Sequence, residues 1–95
     1  MTGTTRTSAD LDPRRRKALF RAWHRGTREM DLILGGFADL HISELSETEM
    51  DEFEALLDQL DPLLLDWVTS IAPTPDEFNT SLFRRIVDHK RHMQF

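Results

Sequence analysis

Five helix-start signals are spread along the chain, and their spacing limits what it can fold into. Asp12 followed by Pro13 places a capping carboxylate before a proline at the first helical position, where a missing N–H costs nothing. Thr27 precedes Glu29 and Asp31, acids set near the positive end of a helix dipole. Ser46 and Glu49 have capping-box spacing, with Leu45 ahead of them able to staple onto Met50. Asp61–Pro62 opens a fourth segment, and Thr74, Pro75 and Glu77 combine cap, proline and capping box for a fifth. Starts so closely spaced allow only short helices with tight connections. No stretch alternates apolar and polar residues over strand length, so the expected class is all-α, a compact five-helix bundle.

The apolar spacing assigns each helix a face. Helix 1 is expected from Pro13 to about His24, with Leu19, Phe20 and Trp23 toward the core and Arg14, Lys17, Arg21 and Arg25 in an outward stripe. In helix 2, Met30, Ile33, Leu34, Phe37 and Ala38 repeat at helical spacing. Gly35 and Gly36 lie off the centre of that face, where they either shorten the helix or let a neighbour approach closely. Helix 3, about Glu47 to Gln59, is expected to bury Met50, Phe53, Leu56, Leu57 and, just beyond, Leu60. Helix 4 carries Leu64, Trp67, Val68 and Ile71 and stops before Pro73; helix 5 carries Phe78, Leu82, Phe83, Ile86 and Val87.

Ninety-five residues make one domain near the size at which packing alone suffices, and packing must suffice because there is no cysteine. That excludes disulfides, thiolate metal sites and cysteine nucleophiles. No apolar run reaches the roughly 18 residues of a membrane span, and the opening lacks a secretory apolar stretch, so a soluble protein of a reducing or neutral compartment is expected. Residues 1–11 read as a flexible tail and 12–92 as the single helical domain. The net charge of -5 conceals a segregation: residues 1–30 carry +5, residues 31–80 carry -13 with no Lys or Arg, and residues 81–95 carry +3. Either the basic ends fold against the acidic middle, or a basic face is kept for a partner.

Catalytic constellations are scarce. There is no glycine-rich phosphate loop, nucleophile elbow or dinucleotide fingerprint. His89 and His92 stand three apart with no further ligand placed to complete a metal site, and His41 reads as a solvated or capping side chain. The acids from Glu44 to Glu54 lack the rhythm of a calcium loop and read as a solvated helix face. Nucleic-acid binding is disfavoured by the acidic pI of about 5.2 and by the absence of a basic recognition helix.

The informative stretch is "WHRGTREMD", residues 23–31. If Gly26 ends helix 1 with a positive φ, Arg25 stays on one helix and Glu29 begins the next, flanking a bare backbone corner. "RGTRE" resembles the Arg-Gly-x-x-Glu signature of the succinate dehydrogenase assembly factor family, the small flavinylation factors of bacteria and mitochondria. "DPLLLDWV", residues 61–68, is similar to that family's later Asp-Pro, apolar, Trp segment.

The resemblance spans about residues 14–90 and implies a five-helix bundle that binds the flavoprotein subunit of succinate dehydrogenase, and in bacteria also of fumarate reductase. It implies promotion of covalent FAD attachment to a histidine of that subunit, the imidazole attacking the 8α carbon of the flavin. The factor is then a chaperone and not an enzyme, expected to be a monomer in the bacterial cytoplasm or, in a eukaryote, the mitochondrial matrix. It would hold no FAD stably, since the FAD belongs to the client. Carried onto this chain, the motif positions are Arg25, offering a bidentate fork to a carboxylate or carbonyl of the partner, Gly26, admitting its backbone, and Glu29, accepting from a basic group or an N–H. Arg21, His24, Arg28 and Asp31 form the rim.

Overall fold

The computed structural model describes residues 9–93. Among them are five α-helices: α1 Pro13–Trp23, α2 Arg28–His41, α3 Glu47–Leu57, α4 Asp61–Val68 and α5 Ser81–Arg91. Two 3-10 turns, Ile42–Glu44 and Asp76–Phe78, complete the order, with no strand among the described residues. The expected tail lies outside the described residues as far as residue 8, while Leu11 is buried in the core.

Three of the starts form as their sequences dictate. Asp12 accepts from the Arg15 N–H, Thr27 from that of Met30, and Ser46 and Glu49 exchange both bonds of a capping box. Such caps contribute about 0.5–2 kcal/mol each. The fifth start is displaced. Residues 75–79 close only the short-range bonds Phe78 N–H to Pro75 O and Asn79 N–H to Asp76 O, so the chain makes one 3-10 turn. α5 begins at Ser81, capped by Thr80. Phe78 is therefore a loop residue, stacked on Trp67 with ring centroids 5.2 Å apart.

α2 is the central element. It packs against α1 and α5; α1 also meets α3, and α3 and α4 meet α5. All five of its apolar-face residues, Met30, Ile33, Leu34, Phe37 and Ala38, are no more than 1% exposed, and each large one stabilises by about 1.5–3 kcal/mol. The radius of gyration, 12.3 Å, matches the roughly 13 Å of a compact 100-residue domain.

Three expected core residues lie outside: Phe20, Leu60 and Ile71 are 62%, 70% and 75% exposed. α1 turns Ala18, Leu19, Ala22 and Trp23 inward, the two alanines letting it approach α2, and Phe20 stacks instead on His24 at 3.9 Å. Leu60 falls past the end of α3 and becomes the N-cap of α4; Ile71 falls past the end of α4, after Ser70 has taken φ 64°.

The paired glycines do not shorten α2, which continues to His41. A Cβ on Gly35 would stand 2.3 Å from Cδ2 of Trp23, and one on Gly36 would stand 3.1 Å from Nε2 of His89. Adjacent glycines thus admit α1 on one side of α2 and α5 on the other.

Candidate functional site

α1 stops at Trp23, with His24 as its C-cap, and Gly26 then takes φ +102°. Nothing lies within 4 Å of a Cβ built there. Glycine is required by the backbone turn, which strains any L side chain, and not by crowding. The turn is fixed from within: the Arg25 backbone N–H donates to Asp31 Oδ1 at 2.6 Å.

The Arg25 side chain corrects the sequence reading, which placed it in the outward stripe with its fork offered to a partner. It is only 9% exposed and points into the molecule. Nε donates to Asp61 Oδ1 at 2.8 Å, Nη1 to Leu57 O at 2.6 Å and Nη2 to Gln59 O at 2.7 Å. Leu57 is the last residue of α3, where carbonyls lack intrahelical partners, and a guanidinium fork suits two carbonyls and a carboxylate together. Arg25 therefore pins the α1–α2 corner onto the α3–α4 junction.

The other predicted residues divide by what they touch. Asp31 is spent on the Arg25 backbone, and Arg21 pairs with Asp58 at 2.7 Å. His24 is exposed, its Nδ1 2.7 Å from Phe20 O. Gly26, Arg28 and Glu29 are exposed, and the Glu29 carboxylate has no hydrogen-bond or ion-pair partner among the described residues. The corner thus presents His24, Gly26, Arg28 and Glu29, with Arg25 and Asp31 beneath.

Between corner and α4 lies an open cleft of about 270 Å³, lined by Thr27, Glu29, Met30, Asp61, Pro62, Leu65 and Asp66. Asp61 is the residue that the sequence reading missed, treating it as a helix opener only. The available signal was the presence of both "RGTRE" and "DPLLLDWV", which the fold brings together as one ion pair.

The charge segregation resolves into internal pairing. Arg14 bridges Glu47, Asp51 and Glu54, and Arg85 bridges Glu44 and Glu49. Arg15 donates to Asp12 and to the carbonyls of Ile42 and Leu45. Hydrogen bonds donated to Glu54 and Asp51 hold the Arg14 guanidinium yet more firmly charged, and Arg14 draws the Glu54 carboxyl below its usual range. The Glu44 carboxyl is lowered first by its bond to His41, then by Arg85. Much of the expected solvated acidic face is thus ion-paired.

No group of three His, Asp or Glu side chains among the described residues could hold a metal ion. His89 and His92 diverge: His89 packs against Phe37 and Gly36, while the His92 ring lies against the Asp88 carbonyl. No described helix is long and apolar enough to cross a membrane.

A family model described as flavinator of succinate dehydrogenase matches residues 16–90. The chain is 39% identical over 82 residues to the FAD assembly factor SdhE of Acetobacter pasteurianus, covering 86% of this chain and 75% of that one. It is 35% identical over 81 residues to the mitochondrial succinate dehydrogenase assembly factor 2 of Dictyostelium discoideum, covering 85% of this chain and 57% of that one. The corresponding Saccharomyces cerevisiae protein is 30% identical over 93 residues, covering 94% and 57%. The chain thus spans little more than half the length of these mitochondrial relatives. With a family model covering most of the sequence and an all-α bundle, the chain belongs to the family of succinate dehydrogenase flavinators, assembly factors that promote attachment of FAD to the succinate dehydrogenase flavoprotein.

Proposed function

We propose that this chain binds the flavoprotein subunit of succinate dehydrogenase, and in a bacterial host that of fumarate reductase, through the corner at Gly26–Glu29. The observation that carries this reading is a turn at φ +102° held rigid from beneath by Arg25 and Asp31 while Glu29 projects without a partner. A preorganised corner costs little entropy on docking.

Its contribution to flavinylation is positional. Clamping client domains in the orientation that brings histidine and flavin together lowers the barrier by proximity, with no chemistry of its own. FAD stays with the client: the cleft beside the corner is smaller than the about 300–1,000 Å³ of a small-molecule site, and its carboxylates would repel a pyrophosphate. The same internal pairing of Arg14, Arg21, Arg25 and Arg85 argues against a nucleic-acid surface. The factor acts as a monomer, in whichever compartment holds its client: bacterial cytoplasm or mitochondrial matrix.

The test is covalent flavin on the client, read as in-gel fluorescence under denaturing conditions in cells lacking this protein. Wild type restores the signal, and Glu29→Ala, a surface change that keeps the helical circular dichroism, does not. Gly26→Arg also disrupts docking, but it adds backbone strain, so Glu29→Ala is the cleaner variant. Undiminished fluorescence without the protein would remove the flavinylation role; an early-melting Glu29→Ala would make Glu29 structural.

A further inference from the structure

We propose that the cleft between the corner and α4 seats a lysine or arginine side chain of the client flavoprotein, its aliphatic stem on Pro62 and Leu65 and its charged head between Glu29 and Asp66. The inference rests on the corner being the docking surface, with which the cleft is continuous through Thr27 and Glu29.

Charge complementarity selects the occupant. Three carboxylates and no cation line the cleft. Asp61 is already met by Arg25, whereas Glu29 and Asp66 have no side-chain partner among the described residues. Many acids elsewhere are matched: Glu47, Asp51 and Glu54 share Arg14, Glu44 and Glu49 share Arg85, and Asp58 takes Arg21; Glu52, Asp76 and Glu77 are unmatched among the described residues but do not border the corner. The positive ends of α2 and α4 also open here, but each is met by its own first-turn acid, Glu29 and Asp61. An anionic occupant would be repelled, and an uncharged one would leave two carboxylates desolvated and unpaired.

The floor explains why a side chain and not a bare ion fits. Leu65 is half-buried and Pro62 exposed, over a fully buried Met30, so the apolar surface of Leu65 and Pro62 leads to a charged rim. Lysine and arginine have the matching shape, an apolar stem with a charged tip. A second open cleft of about 200 Å³, lined by Asp51, Glu52, Leu56, Glu77 and Phe78, has similar chemistry but shares no residue with the corner.

Binding of the full chain to the apo-flavoprotein, measured by calorimetry at low and at physiological ionic strength, tests this. Asp66→Lys should weaken binding by about tenfold or more and reverse its salt dependence, by placing like charges across the contact. Asp76→Lys, the same change at an exposed carboxylate outside the cleft, should bind as wild type does. Should lysine at 66 disturb folding, Asp66→Asn is expected to bind several-fold more weakly with a shallower salt slope. Wild-type affinity in folded Asp66→Lys or Asp66→Asn, or an equal loss in Asp76→Lys, would overturn the cleft proposal while leaving the corner intact if Glu29→Ala still fails to bind. A wild-type chain with no affinity for the flavoprotein would remove the docking reading itself, and the cleft proposal with it.

Discussion

The two ends of α1 are both fastened by arginine, in opposite ways. At its start, Arg14 spreads over three carboxylates of α3 while remaining 30% exposed. At its end, Arg25 is 9% exposed and binds one carboxylate and two carbonyls. Surface pairs are worth little individually, whereas a buried charge that loses its partner is expensive. The start of the helix should therefore tolerate change, and the end, which shapes the corner, should not.

The strongest way to break this comparison is Arg25→Ala. It would leave Asp61, 13% exposed, and the carbonyls of Leu57 and Gln59 without their donor. The expected loss is about 3–5 kcal/mol in urea or thermal unfolding, a large share of the 5–15 kcal/mol typical of a domain. Arg25→Lys keeps a charge near Asp61 but cannot reproduce the planar fork, so it should fall between. A loss under about 1 kcal/mol for the alanine variant would mean that the pin is no stronger than a surface pair.

Next comes Gly35→Ala, which acts on the same end of α1 through Trp23. Alanine gains about 1 kcal/mol of helix propensity. Against that, its Cβ would meet the ring-fusion atoms of a buried indole, Cδ2 at 2.3 Å, and the Trp23 ring is further held by an Nε1–H bond to Asp39 at 3.1 Å. Overpacking typically costs about 1–3 kcal/mol, so the clash wins and the variant should melt earlier with altered near-ultraviolet dichroism. Unchanged melting would show that Trp23 has room to swing and does not brace the corner.

What the sequence disclosed and what it withheld divide along the same line. The capping box at Ser46 and the five-residue face of α2 were legible because each depends on side chains a few residues apart. The left-handed turn at Gly26 was legible for the same reason. The direction of Arg25 was not, since the carbonyls that turn it inward belong to residues 32 and 34 positions away. Phe20 and Ile71 were misplaced because period alone does not say which side of a short helix meets a neighbour, or where the helix ends. Asp61 illustrates both: its place at a helix start was readable, its duty as counter-ion to Arg25 only in three dimensions.

Acid separates the buried side of the molecule from its exposed side. His89 sits in the α2–α5 seam, its Nε2 buried without a partner and its ring edge-on to Phe37. Burial first, then the nearby charges of His41 and His92, lower its pKa below the usual 6.5, with a hydrogen bond to Leu32 backbone opposing. His41 in turn contacts Arg85 and Glu44. With a depressed folded pKa the unfolded chain binds the proton more readily, so stability is complete above about pH 6.5 and declines as pH falls through the folded value. Glu54, lowered by Arg14, adds its loss only as pH falls below the usual 4.5. Unfolding curves should therefore lose stability in two windows, and His89→Leu should flatten the upper one alone. A flat wild-type profile between pH 6.5 and 4.5 would show that the seam admits the proton without cost.

Arg14→Ala should have the smallest effect. Three ion pairs at one guanidinium do not add threefold, because the side chain was ordered once and the solvent screens each pair. Removing it also leaves Asp51 and Glu54, three apart on α3, facing one another without their cation, while Glu47 keeps only Arg15 at 3.6 Å. Pair loss and repulsion together give only a small destabilisation at low ionic strength, shrinking as salt is raised because both are screened. The salt response distinguishes the two ends of α1: the Arg14→Ala deficit should fade in salt, and the Arg25→Ala deficit, shielded from solvent, should persist. If both faded alike, burial would not be what sets Arg25 apart, and the corner would owe its shape to the Gly26 turn and the Asp31 cap alone.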